Sequence, residues 1–222
     1  MADPKENLHQ ATPQEDREGQ AISARLQPAA AELFWRKGYS ATTTRELASS
    51  LGVRKASLYY HMERKEDLLY EICVSSLQHI HHLATEAIGA HTDPLAKLIG
   101  LIHAHVTAML EDRSKHATML TELKMLSADR RVAVIKQRDA YEALVREVLS
   151  ECQASGQVRK DVSVDLLGLT LLDMMNWAIF WYQPGGELNP EQLADTFVQI
   201  FVFGSVSPEG GSDWRHKVAA RQ

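Results

Sequence analysis

The sequence predicts an all-α protein with a three-helix head, a longer helical body and about nine helices in total. Two observations predict this fold class. Apolar residues recur at spacings of three and four through most of residues 21–204, which is the period of an amphipathic helix. The segments between these runs carry glycine or Asx-Pro pairs, which end one helix and begin the next. No strand pattern competes with the helices.

Length and composition limit the class of protein. A chain of 222 residues with 45% hydrophobic residues can form one domain or two closely packed ones. Cys73 and Cys152 lie far apart in sequence, so neither a disulfide framework nor a CxxC metal site is expected. The N-terminus has no apolar signal core. The longest apolar run, residues 166–182, is interrupted by Asp173 and Asn176, which favours a buried helix. We therefore expect a reduced cytoplasmic protein, nucleoid-associated in a bacterium, with no membrane partner.

The two ends of the chain are predicted to be flexible. Residues 1–20 are polar and carry a net charge of −3, so they cannot bury much surface. Residues 205–222 are rich in glycine and charge. Between these ends, residues 21–66 form the predicted head and residues 67–204 the predicted body. The first helix of the head, residues 21–37, places Leu26, Ala30, Leu33 and Phe34 on its buried side.

Residues 42–69 read as two short helices joined by a tight turn, followed by the start of a longer helix. Thr43 is placed to cap the first short helix, and Glu46, three residues later, completes a capping box. Gly52 ends that helix, where a left-handed residue is often required. Residues 54–61 form the predicted second helix, with Leu58 as its inward anchor. This arrangement is a helix-turn-helix, a pattern that other antiparallel helix pairs can share.

The exposed side of the second helix carries hydrogen-bond donors, small residues and aromatic rings, which suit a helix that lies in a DNA major groove. Residues 21–66 hold eight Lys/Arg and four Asp/Glu, for a net charge of +4, whereas residues 67–222 carry −6. A basic block is what contact with phosphates requires, although short helices also carry surface lysines for solubility. Phosphates are expected at Lys65 and at the helix start beside it. The predicted DNA-binding residues are Thr43, Thr44, Arg45, Arg54, Lys55, Ala56, Ser57, Tyr59, Tyr60, His61 and Lys65.

About a fifth of the chain, residues 26–69, resembles the DNA-binding domain of the tetracycline-repressor (TetR) family. The matching residues are Ala29-Ala30, Leu33-Phe34, Gly38-Tyr39, Thr42-Thr43, Leu47-Ala48, Gly52-Val53, Leu58-Tyr59, His61, Lys65-Glu66 and Leu68-Leu69. Three positions depart from the family pattern. Pro28 predicts that the first helix begins or kinks there, Arg54 replaces a frequent serine cap, and Met62 replaces a phenylalanine.

The body is predicted to contain the remaining helices. Helical spacing places them at residues 66–88, from Asp93-Pro94 onward, at 114–126, 127–154 and 164–182, and from Asn189-Pro190 onward. Residues 164–182 are apolar nearly all round, and such a helix needs cover on more than one side. The resemblance implies that the last two helices pair with the same helices of a second subunit, giving a homodimer.

Histidines on the body helices raise the possibility of a metal site. His79 and His82 are three residues apart, but no carboxylate or cysteine lies at matching spacing. His103 and His105 are two residues apart and face different directions. Solvated or hydrogen-bonded histidines are therefore the preferred interpretation, and we expect neither a metal nor a cofactor.

Methionines and aromatic residues on the middle helices could line an adaptable apolar pocket, or they could simply form the core. The resemblance implies a small-molecule cavity in this region. Asp173 would meet a ligand, an arginine such as Arg138, or solvent. Residues 177–186, with Leu188 and Pro190, also resemble a subset of the family that controls lipid degradation and senses acyl-CoA thioesters. The candidate ligand-binding residues are Met109, Met119, Leu123, Tyr141, Asp173, Met174, Trp177 and Trp181.

The leading interpretation is a ligand-responsive transcriptional regulator, most often a repressor. Its expected partners are a palindromic double-stranded DNA operator, a small apolar or acyl-CoA-like effector and a second copy of the chain. Two alternatives belong to other classes. One is a helical binding or adaptor protein that makes no DNA contact. The other is a helical enzyme, but the sequence has no GxSxG, HExxH, P-loop or glycine-rich nucleotide fingerprint, and no catalytic residue is assigned.

Overall fold

The computed structural model describes residues 13–203 and confirms the predicted all-α class. Within those residues the chain forms nine α-helices and no strand. A 3₁₀ turn, Leu123–Met125, precedes α7, and a π-helical segment, Gln199–Phe203, follows α9. The helices are α1 (Pro13–Lys37), α2 (Thr44–Leu51), α3 (Lys55–Leu58), α4 (Lys65–Gly89), α5 (Pro94–Glu111), α6 (Arg113–Glu122), α7 (Ala128–Ala154), α8 (Val164–Trp181) and α9 (Pro190–Val198).

The chain divides into two compact units. Among the described residues, unit 1 comprises residues 13–75 and 114–134, and unit 2 comprises residues 76–113 and 135–203. Unit 1 is larger than the predicted head, residues 21–66, because it also contains most of α6 and the start of α7. The buried hydroxyl of Thr118 on α6 donates a hydrogen bond to the carbonyl of Ala31 on α1 (3.0 Å). Contacts of this kind join residues distant in sequence, and a local pattern does not reveal them.

The first helix begins earlier than predicted. The sequence predicts a flexible arm over residues 1–20, but α1 starts at Pro13 and runs unbroken to Lys37. The sequence predicts that the first helix begins or kinks at Pro28; Pro28 lies inside α1, so the helix does not begin there. A single internal proline removes one backbone hydrogen bond, and the buried residues Leu26, Ala30 and Phe34 hold the helix on both sides of it. The rest of the predicted arm and the predicted tail lie outside the described residues.

Helix boundaries in unit 2 follow the predicted signals. Asp93 caps α5 by accepting a hydrogen bond from the amide of Ala96 (2.9 Å), and Pro94 occupies the first turn. Asn189 and Gln192 form a capping box at the start of α9. Both cysteines are free and buried. These capping groups satisfy amides that a helix start leaves without partners.

Among the described residues, helix α8 has one buried side and one exposed side. Leu171, Met175 and Ile179 are fully buried, whereas an opposite stripe is exposed. That stripe, called here the α8 face, consists of Leu166, Leu169, Trp177, Phe180 and Trp181. By length and composition, α8 is the one helix among the described residues that could cross a membrane, and a third of it is buried (33%). Residues 13–203 therefore do not supply the cover that we predict on further sides of α8.

Candidate DNA-binding surface and ligand site

The helix α2 is held by the predicted capping box. The Thr43 hydroxyl accepts a hydrogen bond from the Glu46 amide (3.2 Å), and the Glu46 carboxylate accepts one from the Thr43 amide (2.9 Å). Lys37 of α1 also donates to that carboxylate. The hydrogen bond from Lys37, together with those from Thr43, lowers the pKa of Glu46 to about 2. Gly52 ends α2 with a φ of 72°, a left-handed conformation that favours glycine.

The second helix of the motif is shorter than predicted. We expected residues 54–61, but α3 spans only Lys55–Leu58. Arg54 stands at its N-cap without a side-chain hydrogen bond, so the absent serine cap leaves this helix start unsupported. Beyond Leu58, the amides of Tyr60 and His61 bond to carbonyls three residues back (3.2 and 2.9 Å). The chain therefore continues as tight turns, which keep residues 59–61 ordered next to α3.

The exposed surface around α3 presents the side chains that a DNA-reading element needs. Leu58 is fully buried and anchors the helix, as predicted. Tyr60 is 90% exposed, and Tyr59 is 47% exposed beside the ammonium of Lys55. Of the other candidate residues, Thr43, Arg45, Arg54 and Ala56 are exposed, and Thr44, Ser57 and His61 are partly exposed. All lie on α2, α3 or the adjoining turns within unit 1.

The ammonium of Lys65 faces backbone carbonyls in this structure. Its Nζ donates to the carbonyl oxygens of Tyr39 and Thr42, both at 2.7 Å, and lies 4.1 Å from the centre of the Tyr39 ring. Burial lowers the pKa of this group. Because two of its three donors are engaged, Lys65 fastens the α1–α2 loop to the start of α4. Contact with phosphate, which we predicted for Lys65, would require that this arrangement open.

Two contacts that the sequence did not reveal connect the start of α4 with the start of α7. The Asp67 carboxylate accepts from Arg130 (2.6 Å), and the Glu66 carboxylate accepts from the amide of Ser127 (2.9 Å). The Arg130 guanidinium also lies over the ring of Tyr70 (5.2 Å). These pairs are about sixty residues apart in sequence (63 and 61), so no spacing pattern could have predicted them.

The candidate ligand residues are divided between the two units. Met119 and Leu123 belong to unit 1, and the other six belong to unit 2. Met109 and Tyr141 are buried in the unit 2 core, and Met174 is partly exposed. Asp173, Trp177 and Trp181 are exposed along α8, because they lie on the side opposite its buried residues.

Unit 2 contains a groove of about 510 Å³ between α4 and α7, called here the α4–α7 groove. Helix α4 contributes Leu77, Gln78, His81, His82 and Thr85. Helix α7 contributes Gln137 and Ala140. The eight candidate ligand residues are absent from this lining set. The sequence signal for the groove is weak, since its polar residues look like an ordinary solvated helix face.

The histidines interact with carboxylates and other polar groups. His79 lies 2.9 Å from Glu111 across two helices, and His82 lies 3.7 Å from Glu86 on its own helix. In the described part of the chain, no group of three or more His, Cys, Asp or Glu residues could hold a metal ion.

Tyr141 and His105 belong to a buried polar chain in unit 2. The Tyr141 hydroxyl lies 2.8 Å from Nδ1 of His105, and Nε2 of His105 lies 3.2 Å from Oδ1 of Asn176. Because Oδ1 accepts, Nε2 carries the proton, and Nδ1 therefore accepts from the Tyr141 hydroxyl. Burial raises the pKa of Tyr141, which keeps its hydroxyl protonated as this donor.

The chain is similar to known bacterial transcriptional regulators, both in sequence and in fold. Residues 28–72 match the family model for bacterial regulatory proteins of the tetR family, and residues 91–204 match the tetracyclin repressor-like C-terminal domain. The HTH-type transcriptional repressor KstR2 of Mycolicibacterium smegmatis is 30% identical over 182 residues, which covers 82% of this chain and 89% of the relative.

Two solved structures share the fold. The TetR family regulator PfmR from Thermus thermophilus is 34% identical, with a TM-score of 0.76 over 82% of this chain and 100% of PfmR. The ketosteroid transcriptional regulator KstR2 of Mycobacterium tuberculosis is 26% identical, with a TM-score of 0.78 over 82% of this chain and 93% of that protein. The chain therefore belongs to the TetR family and is a DNA-binding transcriptional regulator of the ligand-responsive repressor type.

Proposed function

We propose that two copies of the chain bind a palindromic operator, each through α3 and the adjoining turns, and that a small molecule bound in unit 2 releases them. The observation that carries this proposal is the surface around α3. Tyr60 is 90% exposed beside Tyr59, Lys55 and Arg54, while Leu58 fixes the element from below. Large exposed aromatic side chains among cationic ones are unfavourable in water and suit contact with bases and phosphates.

The DNA contacts divide into two classes. Arg54, Lys55, Tyr59 and Tyr60 extend from α3 and its turn and are proposed to read base edges and the nearest phosphates. Thr43, Thr44 and Arg45 at the start of α2 are proposed to contact the DNA backbone through their exposed or partly exposed side chains. In a palindrome, the two copies of α3 would meet half-sites about 34 Å apart or slightly more.

Dimerisation is proposed through the α8 face and the end of α9. Trp177 is 66% exposed, and its ring centre lies 4.9 Å from that of Phe180, with the two planes tilted by 53°. Phe203, in the π-helical segment that follows α9, is 62% exposed. An apolar stripe of this kind marks a protein interface. Burying one such side chain contributes about 1.5–3 kcal/mol, so several residues from each copy can support a stable pair.

The effector is proposed to be a lipid-like or acyl-CoA-like molecule. Support comes from the resemblance of residues 177–190 to regulators of lipid degradation and from the similarity to KstR2, which is described as a ketosteroid regulator. Release requires that the effector bind more tightly to the form with low DNA affinity. A coupling free energy of about 1–3 kcal/mol would weaken operator binding about 5- to 150-fold.

The experiment that tests this function measures fluorescence anisotropy of a labelled duplex from the chain's own upstream region. We expect saturable binding that excess unrelated duplex does not remove, and Lys55→Ala should weaken it without loss of helicity. A protein that ignores this duplex at low ionic strength would instead fit the alternative of a helical binding protein without DNA contact.

A further inference from the structure

We propose that Arg130, in the first turn of α7, is a positioning residue of the DNA-binding surface. Through Asp67 it holds the turns of residues 59–64 in the orientation that reads the operator. The inference rests on the proposed function, because it concerns the specificity of the same DNA contact. Arg130 is 63 residues from Asp67 in sequence and lies outside both the helix-turn-helix pattern and the predicted head, residues 21–66.

The turns of residues 59–64 border a cleft. Leu58, just before them, is fully buried, and Met62 is 6% exposed, but most of the segment is exposed. The cleft has a volume of about 480 Å³ and is lined by residues 59–64, by residues of α4 and by Arg130. A segment that borders open space has few packing contacts on that side. The groups that bond to its end therefore contribute strongly to its position.

Asp67 joins the end of these turns to α7. Its Oδ2 accepts a hydrogen bond from the Arg64 amide (2.8 Å), and its Oδ1 accepts one from Nη2 of Arg130 (2.6 Å). The side chains of Asp67 and Arg130 are 22% and 26% exposed, so water screens this ion pair less than one on the open surface. Charge-assisted hydrogen bonds are about twice as strong as neutral ones. One carboxylate thus fixes the last residue of the turns relative to α7.

The Arg130 guanidinium faces the protein. Its Cζ lies 5.2 Å from the centre of the Tyr70 ring, and its Nη1 is buried, with no hydrogen-bond partner in the described part of the chain. Close by in sequence, the Ser127 amide donates to the Glu66 carboxylate (2.9 Å). All these residues belong to unit 1. Arg130 therefore acts on DNA binding through Asp67, without touching phosphate itself.

Positioning and charge have different consequences for DNA binding. Affinity for an unrelated duplex depends on phosphate contacts and net charge, whereas affinity for the operator also requires that the reading side chains be in place. A surface that must be ordered during binding loses affinity for its specific partner. Loss of the Asp67–Arg130 pair should therefore lower the ratio of operator affinity to unrelated-duplex affinity, whichever partner is removed.

The test measures this ratio by fluorescence anisotropy on the full chain, with a duplex from its own upstream region and an unrelated duplex of equal length. Arg130→Met removes one positive charge and keeps an apolar stem. Asp67→Asn removes one negative charge and keeps an oxygen that can accept from the Arg64 amide. Because the two variants change the net charge in opposite directions, a fall of the ratio in both cannot come from charge. Arg131→Met is the matched control for the first, since Arg131 is the next residue of α7 and is exposed.

We expect Arg130→Met and Asp67→Asn each to lower the ratio about tenfold, and Arg131→Met to change it by less than about threefold. The double variant should be no worse than the poorer single variant, because both substitutions remove one interaction. Arg130→Lys keeps a cation that can reach Asp67 and should restore most of the ratio. Circular dichroism checks that the variants are folded at the temperature of the titration; if Arg130→Met is not, Asp67→Asn and Arg130→Lys decide the question.

A ratio within about threefold of the natural value in a folded Arg130→Met or in Asp67→Asn would overturn the assignment. So would a slope of log affinity against log salt concentration that falls by about one in Arg130→Met, because Arg130 would then contact phosphate. A natural chain that does not distinguish the two duplexes would overturn the proposed function, and the role of Arg130 with it. A selective natural chain with equally selective variants overturns the role of Arg130 alone.

Discussion

The two lysines at the DNA-binding surface are predicted to act in different ways. Lys65 donates to two backbone carbonyls at 2.7 Å, whereas Lys55 is exposed on α3. A hydrogen bond to a charged group contributes about 1.5–3 kcal/mol. The Lys65→Met variant keeps most of the apolar stem of the side chain. The loss is limited because water can replace the ammonium at both carbonyls, and because the Tyr39 carbonyl still accepts a hydrogen bond from the Thr42 amide. We therefore expect a loss of about 2 kcal/mol in the free energy of unfolding.

For a chain of this size, that loss corresponds to a fall in Tm of about 4–8 °C. Since the ammonium faces carbonyls, Lys65→Met should leave the slope of log affinity for DNA against log salt concentration unchanged. The matched variant Lys55→Met should do the reverse, with an unchanged Tm and a slope reduced by about one per bound copy. Thermal unfolding and anisotropy titrations at several salt concentrations measure both quantities. An unchanged Tm with a flattened slope for Lys65→Met would show that the Lys65 ammonium contacts phosphate instead of holding the loop.

The remaining predictions concern the cap of α2, the α8 face and the polar chain. The pKa of Glu46 is lowered from 4.5 to about 2, so its contribution to stability is complete above pH 4.5 and is lost as the pH falls toward 2. The difference in stability between the natural chain and Glu46→Gln should shrink across that interval in urea titrations, and a constant difference would contradict the assignment. Trp177→Glu should weaken the dimer at least about 100-fold in sedimentation experiments, since each copy loses about 1.5–3 kcal/mol of burial; an unchanged dimer would place the interface elsewhere. Tyr141→Phe leaves Nδ1 of His105 without its donor, and should cost about 1–3 kcal/mol in urea unfolding. A neutral or stabilising effect would show that the chain is dispensable.

Local chemistry was sufficient to predict most helix boundaries. The capping box of Thr43 and Glu46, the left-handed Gly52 and the Asp93 cap each depend on residues within four positions of one another. Because the interacting residues are near neighbours in the chain, the sequence pattern alone is sufficient to predict these helix ends. The boundaries of α3 are the exception. Arg54 provides no side-chain cap at its start, and the chain continues as tight turns after Leu58.

Side-chain partners could not be predicted where they lie far apart in sequence. The surface around α3 follows from helical spacing, but the carbonyl partners of Lys65 are 26 and 23 residues away. The candidate ligand residues were chosen by residue type, and type does not decide which side of α8 faces the core. Trp177 is a candidate pocket residue by its type, and its side chain is 66% exposed on α8. When a helix is apolar nearly all round, its sequence does not indicate which side faces the core.

Two copies of the chain are proposed to bind one palindromic duplex, each through its α3. Sedimentation of the purified protein with a labelled duplex from its own upstream region tests this most directly, because it reports both mass and affinity. We predict an even number of chains per duplex and an affinity that falls steeply with salt. A single chain per duplex, or equal affinity for an unrelated sequence under the same conditions, would contradict it.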